Sequence, residues 1–179
     1  SVTTSVTMTD ALKQNLYFAK VSSLDSSVRV QGAVMKITDV DEPNKYIEWT
    51  TTSAAKKIEV GSTYPAGSFA LVIGHTYTFE ELQAPDGYKV AESITFKVEG
   101  TTIAPRMTIV SGDTSALYYD QQTIAMKDEP ISVLLRKVSE TDAIITGAYF
   151  DLYESVGTTD TLVKKDITTT PGEPTVTLT

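Results

Sequence analysis

The chain contains no cysteine and a single histidine, His75, among its 179 residues. Without cysteine there is no disulfide, thiol nucleophile, iron–sulfur cluster or cysteine zinc site, and one histidine excludes a multi-histidine metal site. A Ser–His–Asp triad would need His75, but no Gly-x-Ser-x-Gly elbow accompanies it. We therefore expect a structural or solvent-exposed role for His75, no bound metal and no cofactor.

Long apolar runs and an excess of positive charge are also missing. No run approaches the roughly 20 residues that span a bilayer, so we expect no membrane insertion of this segment. The net charge of -8 at pH 7 disfavours nucleic acid as a partner. The acidic cluster at residues 38–42 lacks the spacing of a calcium-binding loop, so no metal site is predicted there.

Short runs of alternating apolar and polar residues are present instead, separated by Gly, Pro, Asp and Ser. Such alternation, rich in β-branched and aromatic residues, is typical of strands. No window has a helical apolar stripe, and residues 51–57 are expected to form a loop or a short helix. Many strands without intervening helices predict an antiparallel sandwich or barrel. The runs lie at residues 16–21, 34–38, 77–82, 94–98 and 123–126.

An internal repeat indicates the domain organisation. Lys20-Val21-Ser22, followed by Gly32-Ala33, recurs as Lys137-Val138-Ser139, followed by Gly147-Ala148. Fewer residues follow Lys137 than separate the two copies, so the second unit is too short to be complete. The predicted organisation is a lead-in at residues 1–13, a complete domain at 14–129 and a partial second domain at 130–179. In the partial domain, strands are expected at residues 131–138 and 148–153.

Strand parity places three charged residues on the core face of the predicted domain. Alternate residues of a strand face the same side. Lys20 therefore shares a face with Leu16 and Phe18. By the same rule Glu81 follows Tyr77 and Phe79, and Asp128 follows Ile124 and Met126. Because such residues are rarely buried without partners, we expect a buried lysine between two carboxyl groups.

Two interpretations of this trio stay open from the residues alone. An apolar setting lowers the pKa of an amine and raises that of a carboxyl group, which favours a neutral pair. Held close together, that pair can form an amide, here a Lys20–Asp128 isopeptide bond with loss of water. The alternative is a buried ion-pair network without a covalent bond.

The sequence resembles the CnaB-type domains of Gram-positive surface proteins and pilins. Residues 77–88, YTFEELQAPDGY, look like the E-box of that family. The resemblance covers residues 14–129 and includes the Lys20 strand, Gly32-Ala33, YIEW at 46–49, AESITFKV at 91–98 and IAMKD at 124–128. It implies an all-β, Ig-like antiparallel β-sandwich, followed by the beginning of a second similar domain.

Carried over residue by residue, the resemblance makes Lys20 the isopeptide nucleophile and Asp128 its acyl partner. Glu81 becomes the catalytic carboxyl that relays protons, whereas Glu80, of opposite parity, is expected to face solvent. Many family members have asparagine where this chain has Asp128, so the leaving group here would be water instead of ammonia. Lys137 matches Lys20 and is the candidate crosslink lysine of the second domain.

The implied function is that of a stalk or adhesin module, extracellular and attached to the Gram-positive cell wall. It is not an enzyme beyond one self-crosslinking event, and its partners are neighbouring domains of the same surface protein. One alternative hypothesis is a ligand-binding adhesin domain for a host extracellular-matrix protein or glycan. A hydrolase built on a carboxylate pair is the less favoured alternative. The sequence does not separate a pilin from an adhesin.

Overall fold

The computed structural model describes residues 14–134, 137–168 and 175–178. Within these ranges nearly all regular structure is β-strand, and the one helical element is a 3₁₀ turn at Thr114–Ala116. None of the helical structure there is long and apolar enough to cross a membrane. The predicted all-β class is confirmed.

The chain divides into two compact units. Among the described residues, the first contains residues 14–85 together with Val90–Glu129, and the second contains Asp86–Lys89 together with the described residues from Pro130 onward. In chain order the strands of the first unit are β1 (Asn15–Ser22), β2 (Val34–Asp39), β3 (Tyr46–Thr50), β4 (Lys56–Gly61), β5 (Leu71–Val72), β6 (Thr76–Gln83), β7 (Ile94–Thr101), β8 (Ala104–Ser111) and β9 (Thr123–Asp128).

The first unit is a sandwich of two sheets. One sheet has the strand order β5-β4-β1-β9 and the other has the order β3-β2-β6-β7-β8. Their inner faces share one apolar core, in which Phe18 of the first sheet contacts Phe79 and Phe96 of the second. Alternation of side chains explains why these sequences form strands, since alternate residues are buried along β2 and along residues 76–81 of β6.

The strand β4 begins at Lys56, so the expectation of a loop or short helix holds only for the first part of residues 51–57. The alternation that defines this strand comes from Ile58 and Val60, which are buried and lie beyond that segment. The two lysines at the start of β4 make this alternation difficult to recognise in the sequence.

Strands β1 and β9 run parallel, unlike most pairs in the sandwich. Their register places Lys20 opposite Met126 and Ser22 opposite Asp128. The pair β4–β5 is also parallel, whereas β1–β4 and every pair in the five-stranded sheet are antiparallel. The first and last strands of the unit therefore lie side by side, with their C-terminal ends together.

The second unit contains two separate two-stranded ribbons among the described residues. Strand β10 (Ile131–Leu134) pairs with β13 (Thr175–Leu178), and β11 (Tyr149–Val156) pairs with β12 (Thr159–Thr168). Strands were expected at residues 131–138 and 148–153, and residues 135–136 lie outside the described part. Whether residues 130–179 begin a domain of the same kind stays a prediction.

Gly112 provides a test of the five-stranded sheet. Its φ is +97°, and a Cβ atom there would lie 2.7 Å from the carbonyl oxygen of Ser93. Gly67 has a φ of +73° with no atom near its Cβ position. We expect Gly112→Ala to lower the free energy of unfolding by about 3 kcal/mol, and Gly67→Ala by only about 1 kcal/mol. Urea denaturation measures both, and equal losses would contradict the packing at Gly112.

Candidate functional site

Three strands, two in one sheet and one in the other, position the predicted trio. β1 carries Lys20, β9 carries Asp128 beside it, and β6 of the facing sheet carries Glu81 opposite Met35 of β2. All three residues are buried, with relative exposures of 2%, 6% and 0% for Lys20, Glu81 and Asp128. Strand parity therefore placed all three side chains correctly.

The ammonium group of Lys20 lies between the two carboxyl groups. Its Nζ donates a hydrogen bond of 2.8 Å to Oε2 of Glu81 and lies 3.3 Å from Oδ1 of Asp128. Oε2 of Glu81 also accepts a 2.7 Å hydrogen bond from the backbone N–H of Ala91. The side chain of Glu81 is thus held by two donors, one of which is the reacting amine of the predicted crosslink.

The carboxyl group of Asp128 is poorly satisfied. Neither of its oxygens, nor Oε1 of Glu81, has a hydrogen-bond partner among the described residues. Buried acceptors without partners are costly, and a protonated acid is less costly to bury than its anion. Burial and, to a lesser degree, the charge of Glu81 raise the pKa of Asp128 to about 6, against the lowering effect of Lys20.

Aromatic residues precede the trio on two of its strands, and the side chains of Lys20, Glu81 and Asp128 have no solvent exposure. Phe18, two residues before Lys20, packs edge-on against Phe79, two residues before Glu81, with ring centroids 5.4 Å apart. Trp49 stacks on Phe79 with ring centroids 5.8 Å apart. Nζ of Lys20 and the Asp128 carboxyl group therefore face each other away from solvent, and burial favours the protonated, neutral form of Asp128.

Glu80 is not part of this site, and Lys137 belongs to the second unit. Glu80 is only partly buried and lies on the outer face, opposite Lys36 of β2. Lys137 is exposed and lies beyond the end of β10 at Leu134. Its proposed role as the crosslink lysine of a second domain therefore stays a prediction.

A second buried polar cluster was not found from the sequence. Asp39, at the end of β2, has a relative exposure of 0%. Its Oδ2 accepts hydrogen bonds from Tyr64 (2.5 Å) and pairs with Nδ1 of His75 (2.7 Å). Its Oδ1 accepts from the backbone N–H groups of Asp41 and Glu42. One carboxylate thus joins three connecting segments at the same end of the sandwich.

The neighbours of Asp39 shift its acidity. Burial acts to raise the pKa of Asp39, but the hydrogen bonds from Tyr64, His75 and the backbone outweigh it and hold that pKa below the ordinary value of 3.8. Burial raises the pKa of Tyr77, whose hydroxyl lies 3.1 Å from that of Tyr64. Strand parity could have found the burial of Asp39, because Asp39 follows Met35 and Ile37 on the inner face.

His75 and the acidic cluster at residues 38–42 are now accounted for. The His75 side chain is 33% exposed and pairs with Asp39, which is a structural role of the kind expected. In the described part of the chain, no group of three or more His, Asp and Glu side chains is arranged to hold a metal ion. In this cluster the oxygens of Asp39 are occupied by donors of the protein itself.

A two-layer β-sandwich with a lysine and two acids in its core defines the class of the protein as a prealbumin-like, Ig-like domain. Residues 14–112 match the family described as SpaA, prealbumin-like fold domain. The chain belongs to this family. The CnaB-type resemblance noted from the E-box and the Lys20 strand is thereby confirmed. No curated protein sequence matches the chain.

Several solved structures are similar to the chain. The pilus-presented adhesin Spy0125 (Cpa) is 25% identical with a TM-score of 0.42, covering 55% of this chain and 19% of its own. The C-terminal fragment of the pilus adhesin SpaC from Lactobacillus rhamnosus GG is 22% identical with a TM-score of 0.46, covering 70% and 48%. The Bacillus anthracis TIE protein is 19% identical with a TM-score of 0.43, covering 90% and 26%. The chain thus spans less than half the length of these proteins, and their activities and partners do not transfer to it.

The Asp39 cluster makes the free energy of unfolding vary with pH in the acidic range. A carboxyl group whose pKa is lowered by folding stabilises the fold above its unfolded pKa of about 3.9, and this contribution is lost as the pH falls through the folded value. We expect Asp39→Asn to lower the free energy of unfolding by about 2 kcal/mol at pH 7. The loss should shrink as the pH falls below about 4.

Urea denaturation over a pH series measures this dependence. Asp41→Asn, an exposed neighbour in the same turn, is the matched control and should keep the wild-type profile. A constant difference between Asp39→Asn and wild type at every pH would contradict the proposed role of the charge.

Proposed function

We propose that residues 14–129 form a structural module of a Gram-positive surface protein or pilus, strengthened by an autocatalytic isopeptide bond between Lys20 and Asp128. The single observation that carries the proposal is the 3.3 Å distance between Nζ of Lys20 and Oδ1 of Asp128 inside a dry core. Membership of the SpaA family supports the surface location. Attachment to the cell wall and neighbouring domains as partners belong to the same proposal.

The reaction needs no external reagent. Proton transfer from the ammonium to the Asp128 carboxylate gives a neutral amine and a carboxylic acid. The Nζ lone pair then attacks Cγ of Asp128, an N–C bond forms, one C–O bond breaks and one water leaves. Glu81 accepts a proton from the attacking nitrogen and returns it to the departing hydroxyl group, so its own charge is unchanged at the end.

The geometry supplies the two conditions that this reaction requires. Nζ of Lys20 lies 3.3 Å from Oδ1 of Asp128, in contact with the carboxyl group whose Cγ it attacks, so the entropy of bringing amine and acid together is already lost on folding. Burial disfavours the charged pair, which raises the pKa of Asp128 toward neutrality and populates the acid that the amine can attack. Glu81 is positioned on the same amine by its 2.8 Å hydrogen bond.

An isopeptide bond at this position would stabilise a stalk module against unfolding. It would join the first and last strands of the sandwich and close a loop of roughly 100 residues, which on the chain-entropy model for disulfides stabilises the fold by about 5 kcal/mol. The hydrolase hypothesis is not favoured, because the side chains of Glu81 and Asp128 have no solvent exposure through which a substrate could reach them. The ligand-binding hypothesis is independent of this buried trio, because it concerns the exposed surface of the domain.

The crosslink is tested by intact mass and a tryptic map. We expect the folded wild-type chain to be one water lighter than its sequence mass and to yield a linked peptide containing Lys20 and Asp128. Lys20→Met should keep the full mass, and Glu81→Gln should keep it or lose water far more slowly, because proton relay is absent. Glu80→Gln is the matched control and should crosslink like wild type.

Two outcomes would contradict different parts of the proposal. A wild-type chain that keeps its full sequence mass after folding would reduce the trio to a buried ion-pair network. Water loss from Glu81→Gln at the wild-type rate would leave the bond in place and remove Glu81 as its catalyst.

The buried charges predict a further difference between two variants that both lack the bond. Lys20→Met fills the space of the lysine stem but leaves Glu81 and Asp128 buried without a cation, whereas Glu81→Gln keeps the amine beside Asp128. We expect Lys20→Met to be less stable than Glu81→Gln by about 2 kcal/mol at pH 7. Guanidinium denaturation of both variants measures this, and equal stability would show that the amine does not compensate the acids.

A further inference from the structure

The end of the sandwich that carries Asp39 also contains a cavity. Residues 44–46, which enter β3, form one wall, and residues 65–69, which precede β5, form the other. The space between them is about 300 Å³. This is at the lower end of the range for small-ligand sites, so the cavity has room for one ring-sized molecule.

A cation without a counter-ion lines this cavity. Lys45 is partly buried, and its Nζ lies 5.2 Å from the centre of the Tyr64 ring. No carboxylate of the described residues lies within ion-pair distance of it, and the acidic residues of the adjacent turn, Asp41 and Glu42, do not line the cavity. A lysine that lines the cavity, with its ammonium group near an aromatic ring and without an ion-pair partner among the described residues, is suited to bind an anionic ligand.

The rest of the lining is suited to a hydroxylated ring. Tyr46 and Phe69 provide aromatic surface on which the C–H face of a sugar ring can pack. Asn44 and Ser68 provide an amide and a hydroxyl group, which can donate to and accept from ring hydroxyls. A small-molecule site usually combines aromatic surface with a few polar groups.

The buried cluster below the cavity holds both walls in place. Asp39 receives the hydroxyl of Tyr64, directly before the second wall, and its backbone N–H donates to the carbonyl of Lys45 in the first wall. Tyr64 also contacts Phe69, with ring centroids 6.1 Å apart. A site whose walls are ordered before binding loses less entropy when a ligand arrives.

We propose that this cavity binds a sugar acid, with its carboxylate on Lys45 and its ring between Tyr46 and Phe69. The site lies apart from Lys20, Glu81 and Asp128, and it does not depend on whether the isopeptide bond forms. It adds a small-ligand subsite to a chain whose proposed role is otherwise structural.

The proposal is tested by titrating the full ¹⁵N-labelled chain with three probes and following the amide signals of Gly67 and Ser68. Glucuronate should bind with a Kd of about 1 mM, as expected for a small ligand at an open site. Glucose lacks the carboxylate and acetate lacks the ring, so each should bind at least about tenfold more weakly.

Lys45→Gln should weaken glucuronate binding about tenfold while the fold, checked by its thermal unfolding, is unchanged. Lys57→Gln, which removes an exposed lysine of β4 in the other sheet, is the matched control and should bind like wild type. No shift with glucuronate, equal binding of glucose or acetate, or full binding by Lys45→Gln would each overturn the proposal. None of these outcomes alters the mass test of the crosslink.

Discussion

The ammonium group of Lys20 has to be accommodated inside an apolar core, and the centre of the first unit is arranged around this constraint. A lone buried charge is too costly to keep, so two carboxyl groups lie beside it. These acids in turn have too few hydrogen-bond donors, because both oxygens of Asp128 and one of Glu81 lack hydrogen-bond partners within the described ranges. In its charged form the trio therefore leaves buried carboxylate oxygens without hydrogen bonds. An amide between Lys20 and Asp128 would remove two of the charges.

The sandwich has a polar cluster at each end of the same strand pair. Along β2 and β6, Met35 lies opposite Glu81, and Asp39 lies opposite Tyr77. Four residues of strand separate these positions, which corresponds to roughly 13 Å. The cluster at Asp39 is fully hydrogen-bonded and is partly open to water through His75, whereas the trio is dry and incompletely bonded. The first environment suits a permanent structural anchor and the second suits a reaction.

Strand parity predicted the trio from the sequence because Lys20, Glu81 and Asp128 each follow two apolar residues on the same face. Asp39 satisfies the same rule, but it lies within an acidic run that resembles a turn, and its partners Tyr64 and His75 are distant in the sequence. The cavity at Lys45 could not be predicted, because it depends on the approach of two connecting segments and not on strand periodicity. Parallel pairing of β1 with β9 also escaped prediction, since alternation of side chains is the same for either strand direction.

The parallel register of β1 and β9 determines how the first unit responds to tension. β1 is the first strand of the unit and β9 is its last, and because they are parallel the start of β1 and the end of β9 lie at opposite ends of the same strand pair. A pull on both points slides the strands along each other, and the ladder bonds are loaded together instead of opening one at a time. Lys20 and Asp128 lie close to the exit point. With a covalent link between them, tension would pass along β1 and across one side-chain bridge, and residues 21–127 would carry almost none of it.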